Sequence, residues 1–325
     1  MISVKNLTKV YRTVKHTKGV SGFFKNIFPR EYKTNLAVSD LSFEIPQGEL
    51  VGFLGPNGAG KTTTMKMLAG ILYPTKGEVN VLDFTPFEKK QEFLKQIAFI
   101  MGQRNQLLWE LPAIDTFKLN KEIYEIPDAE FNATLEELTE LLDAKEIIYQ
   151  PTKTLSLGQR MKMELIASLI HRPKVLFLDE PTIGLDVVAQ KTIRDFIKDY
   201  QRIFGATILL TSHYMEDVRE LCKRVMIIDH GKIIYDGPLD KLIKKYATRK
   251  TIEVIVEQMP DVKKIGKLGD NVEIDFPRLV FKVKRSEIPE TIAIIAKNLE
   301  FVDINIFEEK IEDIVRKIFN EGKPS

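Results

Sequence analysis

Cysteine is nearly absent. Cys222 is the single one in 325 residues, so the chain forms no internal disulfide and has no Cys-based metal site, and a reducing compartment is its simplest home. Its own expectation is a small, half-buried apolar side chain. Also missing is any uncharged apolar run near the roughly 18 residues that a membrane-crossing helix needs, and the opening MISVKNLTKVYRTVKH lacks the apolar centre of a secretory leader. The chain is therefore expected not to span a membrane, leaving any membrane role peripheral or exercised through a partner. Charge of one sign is not in excess: 48 basic against 46 acidic residues leave +2, which argues against a nucleic-acid binder held by bulk positive charge. No long internal repeat, low-complexity tract or sustained heptad is present.

What remains is globular. With 44% hydrophobic residues the chain can bury a large core, as one big domain or one with a smaller companion. Short apolar runs recur: LVGFL at 50–54, IAFIM at 97–101, VLFL at 175–178 and TILLT at 207–211. Each is too short for a helix and is followed by small or charged residues, with amphipathic stretches between several of them, which predicts an α/β fold on a buried, largely parallel sheet. Segment 115–149, with Phe117, Leu119, Ile123, Leu135, Leu138, Leu141 and Leu142 at helical spacing, predicts a helical subdomain, placed at about 104–155. VMIIDHGKIIYDG at 225–237 reads as a hairpin about Asp229–Lys232. Past a boundary set near Lys245, short strands alternate with two helical stretches, the pattern of a separate α+β domain over 246–325.

Chemistry concentrates in a few loops. Gly55, Pro56, Asn57, Gly58, Ala59, Gly60, Lys61 and Thr62 fit G-x-x-x-x-G-K-[ST] between a predicted strand and a predicted helix. The glycines let backbone N–H groups face one anion, Lys61 supplies a cation to the β and γ phosphates, and Thr62 offers a hydroxyl to Mg²⁺. In VLFLDEP the strand ends in Asp179, a carboxylate for Mg²⁺ through its water shell, and Glu180 can polarise a water toward the γ-phosphate. His213 closes another predicted strand, where α/β sites assemble, and can reach the γ-phosphate. Gln103 follows IAFIMG as either a sensor of Mg²⁺ and the attacking water or an ordinary loop amide. Tyr11 either stacks on adenine or packs in an N-terminal strand. A second anion-directed element is TLSLGQRMKME, where Ser156, Gly158 and Gln159 open a helix whose free N–H groups and dipole favour a phosphate.

Taken in order, Tyr11, GPNGAGKTT with Thr63 at its end, Gln103, LSLGQ, VLFLDEPTIGLD and His213 resemble the motif set of the ATP-binding cassette ATPases over residues 1 to about 240. Leu157 replaces the commonest third residue of the signature, at a variable position. The resemblance implies a P-loop NTPase fold, a RecA-like core with an antiparallel β subdomain and a helical subdomain, in an ATP-binding domain over 1–245. It also explains two phosphate elements on one chain, since two such cassettes dock head to tail and the signature helix of one caps the γ-phosphate held by the other. By the same resemblance Glu180 is the general base, Asp186 links the sites across the interface, ATP and Mg²⁺ are the ligands, and a second cassette, in a homodimer, is a partner.

The groove beside Gln103 would couple hydrolysis to a membrane partner, with Leu107, Leu108, Trp109, Leu111 and Pro112 as the docking surface and Trp109 as anchor; a plain subdomain core is the other reading. An added segment at about 12–35, the GQRNQLLWELP stretch and the C-terminal extension resemble the ATPase subunits of exporters with ABC-2 type permeases. That implies a peripheral protein on the cytoplasmic face of the membrane, with no nucleic acid expected. Importer ATPase and soluble ATPase on ribosomes or nucleic acid are the alternatives. The insert mixes Lys15, Lys18, Lys25, Arg30 and Lys33 with Phe23, Phe24, Ile27 and Phe28, suited to anionic headgroups, to the permease, or to a helix packed on the cassette.

Overall fold

The computed structural model describes residues 1–14, 32–102, 105–247, 249–259, 272–309 and 311–321. Gln103 and most of the 12–35 insert, with its Lys15, Lys18, Phe23, Phe24, Lys25, Ile27, Phe28 and Arg30, lie outside the described residues. The chain divides into two compact units, Met1–Gly237 and Pro238–Ser325. No helix among the described residues is long and apolar enough to cross a membrane.

The first unit contains strands β1 (Ile2–Val14), β2 (Tyr32–Ile45) and β3 (Leu50–Leu54), helix α1 (Lys61–Leu68), strand β4 (Lys76–Val81), the short helix α2 (Gln91–Leu94) and strand β5 (Ile97–Met101). Helices α3 (Ala113–Tyr124), α4 (Asp128–Leu141) and α5 (Leu157–Leu169) follow, then β6 (Val175–Asp179), α6 (Val187–Phe204), β7 (Thr207–Thr211), α7 (Met215–Leu221), β8 (Arg224–Asp229) and β9 (Lys232–Pro238). The central sheet runs β5-β6-β7-β3-β8-β9, with parallel pairing from β5 through β8. Its strands β3, β6 and β7 are buried at every residue, which is why they read as unbroken apolar runs rather than alternating ones. Because β6, β7 and β3 are neighbours, the loops leaving their C-terminal ends converge, the place where open α/β sheets build sites.

A second, antiparallel sheet, β2-β1-β4, closes a shared core in which Ile2, Val4, Leu7 and Phe43 join Phe53, Met65 and Phe177. The pairing of β1 with β2 continues to Val14 opposite Tyr32, so the described ends of the insert prolong a two-stranded ribbon. No strand interrupts 113–169, where α3, α4 and α5 form the expected helical region.

The second unit begins with α8 (Leu239–Tyr246), followed by β10 (Arg249–Val256), β11 (Val272–Asp275), β12 (Arg278–Lys284), α9 (Ile288–Asn298), β13 (Phe301–Glu308) and α10 (Ile311–Glu321). Its antiparallel sheet, β11-β12-β10-β13, buries Ile252, Val254, Leu279 and Phe281 with Ile295 of α9. The division falls ahead of the position near Lys245 read from the sequence, because α8 packs against α10 at the far end of the chain.

Candidate active site

The loop after β3 turns sharply enough to aim its amides inward. Gly58 and Gly60 have φ of +82° and +106°, conformations that cost an L side chain dearly and glycine little. At Gly60 a Cβ would also strike the carbonyl oxygen of Ala37, and at Gly55 that of Ile228, so this loop is walled by β2 on one side and β8 on the other. The β8–β9 turn clamps it further: Gly231 N donates to Ala59 O at 3.0 Å, and Ser39 N donates to Gly231 O at 2.8 Å. Within the loop Lys61 Nζ donates to Gly55 O at 2.7 Å and Pro56 O at 3.1 Å. Burial lowers the pKa of that ammonium, while the charges of Glu180 and Asp179 oppose the shift.

Three loops meet at this edge of the sheet. Thr62, in the first turn of α1, donates through Oγ1 to Asp179 Oδ2 at 2.8 Å, and Thr211 Oγ1 donates to Asp179 Oδ1 at 2.6 Å. Glu180 stands in the left-handed region at φ +58°, held by its N–H on Thr211 Oγ1 at 3.1 Å, and its Oε1 lies 2.8 Å from His213 Nε2. Gly102 N donates to Asp179 O at 3.0 Å, which brings the end of β5 to the same place. Hydroxyl and carboxylate oxygens are the donors Mg²⁺ prefers. Among the described residues no cluster of three His, Cys, Asp or Glu side chains forms a cage for a metal by itself.

Tyr11 pairs with Asn35 on the ribbon, two residues before Ala37. Its ring is exposed, with Lys9 Nζ 5.3 Å from the centroid, so the packed-strand alternative does not hold. Ser156 caps α5: its side chain accepts from Gln159 N, and Gln159 Oε1 accepts from Ser156 N at 2.9 Å. A Cβ on Gly158 would press on Ala189 Cβ, 2.9 Å away, which joins the start of α5 to the start of α6. Asp186 caps α6 by accepting from Ala189 N at 2.8 Å.

In the stretch after Gln103 most of the large apolar side chains face solvent rather than a core. Leu107 is buried, and Leu108, Trp109 and Leu111 are exposed. Trp109 O and Leu111 O accept from Lys153 N and Thr152 N, and the indole lies 6.0 Å from the guanidinium of Arg160. These residues flank the approach to α5. A separate groove of about 420 Å³ is lined by Ile71, Leu94, Phe99, Gln106, Ile123 and Tyr124, among others. The sequence assigns no role to Thr182, Arg194, Thr211, Ser212, Gly231 or Asp217, although Thr211 ends an apolar run, Thr182 and Ser212 lie near Glu180 and His213, and Gly231 lies in the hairpin signal.

A phosphate-cradling loop with a hydroxyl, a paired carboxylate and a strand-end Glu–His couple defines a P-loop nucleotide hydrolase. The family described as "ABC transporter" matches residues 38–183. The ABC transporter ATP-binding protein NatA of Bacillus subtilis (strain 168) is 34% identical over 66% of this chain and 87% of its own. The bacitracin transport ATP-binding protein BcrA of Bacillus licheniformis is 29% identical over 90% and 95%. A solved dimer of the ATP-binding cassette MJ0796 with ADP and Pi superposes with a TM-score of 0.61 at 22% identity, covering 74% of this chain and 99% of that one. The chain belongs to the ATP-binding subunits of ABC transporters, and it is an ATPase.

Proposed function

We propose that this subunit powers an exporter with an ABC-2 type permease, working as a homodimer at the cytoplasmic face of the membrane. One observation carries the cassette mechanism: the chain has two elements built for phosphate, the loop Gly55–Thr63 and the Ser156-capped start of α5, and only the first is joined to the Asp179, Glu180 and His213 cluster. In the closed dimer Ser156, Gly158 and Gln159 of one copy face the γ-phosphate bound by the other. The amides of Gly55 to Thr63 and the Lys61 ammonium hold the phosphates, and Tyr11 stacks on adenine. Thr62 and Asp179 would hold Mg²⁺, with Gln103 beside it; when bound, the ion neutralises charge on the phosphate oxygens. Glu180 takes the proton of the attacking water, and His213, 2.8 Å from it, fixes that carboxylate and reaches the γ-phosphate. Asp186 joins the two sites across the interface.

Support for export comes from the lengthened β1–β2 ribbon, the C-terminal unit, and the match to BcrA. That match takes in 90% of the chain and so runs into the second unit. The groove of about 420 Å³ between β5, α3 and α5 receives the permease's cytoplasmic segment, which moves the proposed contact from Trp109 to Ile71, Leu94 and Ile123. Isolation of the full chain from native membranes in mild detergent, with and without ATP, tests this reading. A stoichiometric multi-span protein of the ABC-2 type is the expected companion; a substrate-binding importer assembly, or ribosomes without a membrane protein, would overturn it.

A further inference from the structure

We propose that Asp217 is a positioning residue for hydrolysis: one of its carboxylate oxygens fastens together the two loops that carry Glu180 and His213. The inference rests on the roles proposed above for that pair. Thr182, two residues beyond Glu180, donates through Oγ1 to Asp217 Oδ2 at 2.5 Å. Ser212, the residue before His213, donates through Oγ to the same oxygen at 2.6 Å. The other oxygen, Oδ1, takes Arg194 Nη1 at 3.1 Å. All four side chains are at most 5% exposed.

The anchor is itself held from two helices. Arg194, on α6, also meets Glu220 Oε2 at 3.0 Å and Glu216 Oε1 at 3.7 Å, both on α7 with Asp217. Each loop is also braced locally, one by the Ser212 hydroxyl and the other by the main-chain carbonyl of Thr182. Ser212 Oγ accepts from Tyr214 N at 2.9 Å, bending the chain about His213. Thr182 O accepts from Leu185 N at 3.2 Å, shaping the turn between Glu180 and Asp186. Hydrogen bonds to an ionised acceptor away from water are the strong kind, and a buried charge stripped of one partner is costly to leave so. The shared oxygen thus ties the side-chain-bearing parts of the two loops together beyond the bonds that hold Glu180 N to Thr211. A displacement of about 1 Å at such a site costs about a hundredfold in rate.

Thr182→Val and Ser212→Ala each delete one donor with little change of shape, and Thr182→Ser keeps it. In the full chain both deletions are expected to lower kcat about tenfold or more while KM for ATP and nucleotide affinity stay within about twofold. Thr182→Ser is expected to restore turnover, and the double deletion to fall short of the product of the single effects because both act through one oxygen. Asp217→Asn is expected to be worse than either; should it fail to fold, the hydroxyl variants still decide. Glu180→Gln in the same assay keeps the two questions apart. If it turns over normally, the general-base role of Glu180 falls regardless of the other variants. If it is inactive while Thr182→Val and Ser212→Ala turn over normally, the positioning role alone is overturned. Losses of kcat that merely follow losses of melting temperature, or no rescue by Thr182→Ser, overturn it too.

Discussion

Gly102 shows how little room the site leaves at single residues. Its N–H donates to Asp179 O at 3.0 Å, and a Cβ there would collide with Glu180 O and come within 2.9 Å of Ile183 Cγ2. Gly102→Ala must therefore push the Asp179–Glu180 turn away from β5. We expect turnover to fall about tenfold or more, with nucleotide affinity nearly kept because the P-loop is not touched and a stability loss of about 1–3 kcal/mol; steady-state ATPase kinetics beside equilibrium nucleotide binding checks this. At this scale the sequence was informative wherever the chemistry sits in consecutive residues. Gly55–Thr63, Asp179–Glu180 and Ser156–Gln159 are contiguous, and the structure brings Lys61, Thr62, Asp179, Glu180 and His213 together. Asp217 was not legible, since in TSHYMED it reads as an acid favoured by the first turn of any helix. Arg194, on an amphipathic helix, reads as a solvated charge. Nothing in linear order says that residues 182, 194, 212 and 217 meet in the interior.

Elements meet at joints, and the one between α5, α3 and β5 carries a pH dependence. His171, two residues past the end of α5, stacks on Tyr124 of α3 with ring centroids 3.8 Å apart and planes 2° from parallel. Its Nε2 lies 3.0 Å from Ile97 O; a carbonyl only accepts, so Nε2 carries the proton and Nδ1, buried with no partner among the described residues, has none. Burial lowers the imidazole pKa from 6.5 to about 4, against the opposing bond to Ile97. The unfolded chain takes up a proton as pH falls through 6.5 and the folded chain does not until about pH 4, so stability is lost across that interval and levels off below it. The loss from this group is about 2 kcal/mol by about pH 5 and about 3 kcal/mol when complete. His171→Phe keeps a ring on Tyr124 but cannot titrate. Urea unfolding should find it less stable than wild type near neutral pH, because Ile97 O loses its donor, yet less sensitive to acid; an equal acid slope would refute the assignment. Strands were the most legible elements, because burial on both faces writes them as apolar runs. The β1–β2 ribbon was not: Arg12, Thr13 and Tyr32–Asn35 are all exposed, with no buried face to impose alternation. The break between the two units is not legible at Gly237, because the helix that packs with α8, α10, lies some seventy residues further on.

For the whole molecule, the decisive feature is a surface that a single copy leaves uncovered. Gly158 abuts Ala189, and Gly184, at φ +74°, would bring a Cβ within 3.3 Å of Leu157 Cδ2, so the starts of α5 and α6 form one patch. On it Leu157 is exposed, and Val187 and Val188 are 74% and 77% exposed, two bare valines beside a helix N-terminus that attracts anions. Under the proposed homodimer this apolar rim around the Ser156-capped helix start would meet the P-loop face of a second copy, which arrives with a phosphate already bound. Ser156→Arg fills the cap with a long cation while leaving Gly55–Thr63 and the Asp179 cluster intact. Nucleotide binding by the monomer should persist within about threefold, and ATP-dependent dimerisation followed by light scattering should disappear, since the arginine blocks close approach of the γ-phosphate to the helix amides. Val188→Glu should have the same effect for a different reason, placing a carboxylate against bound phosphate and removing apolar area. If Ser156→Arg dimerises more tightly with ATP, the two phosphate elements do not serve one shared interface. If it binds ATP poorly as a monomer, the signature helix acts on its own chain's nucleotide.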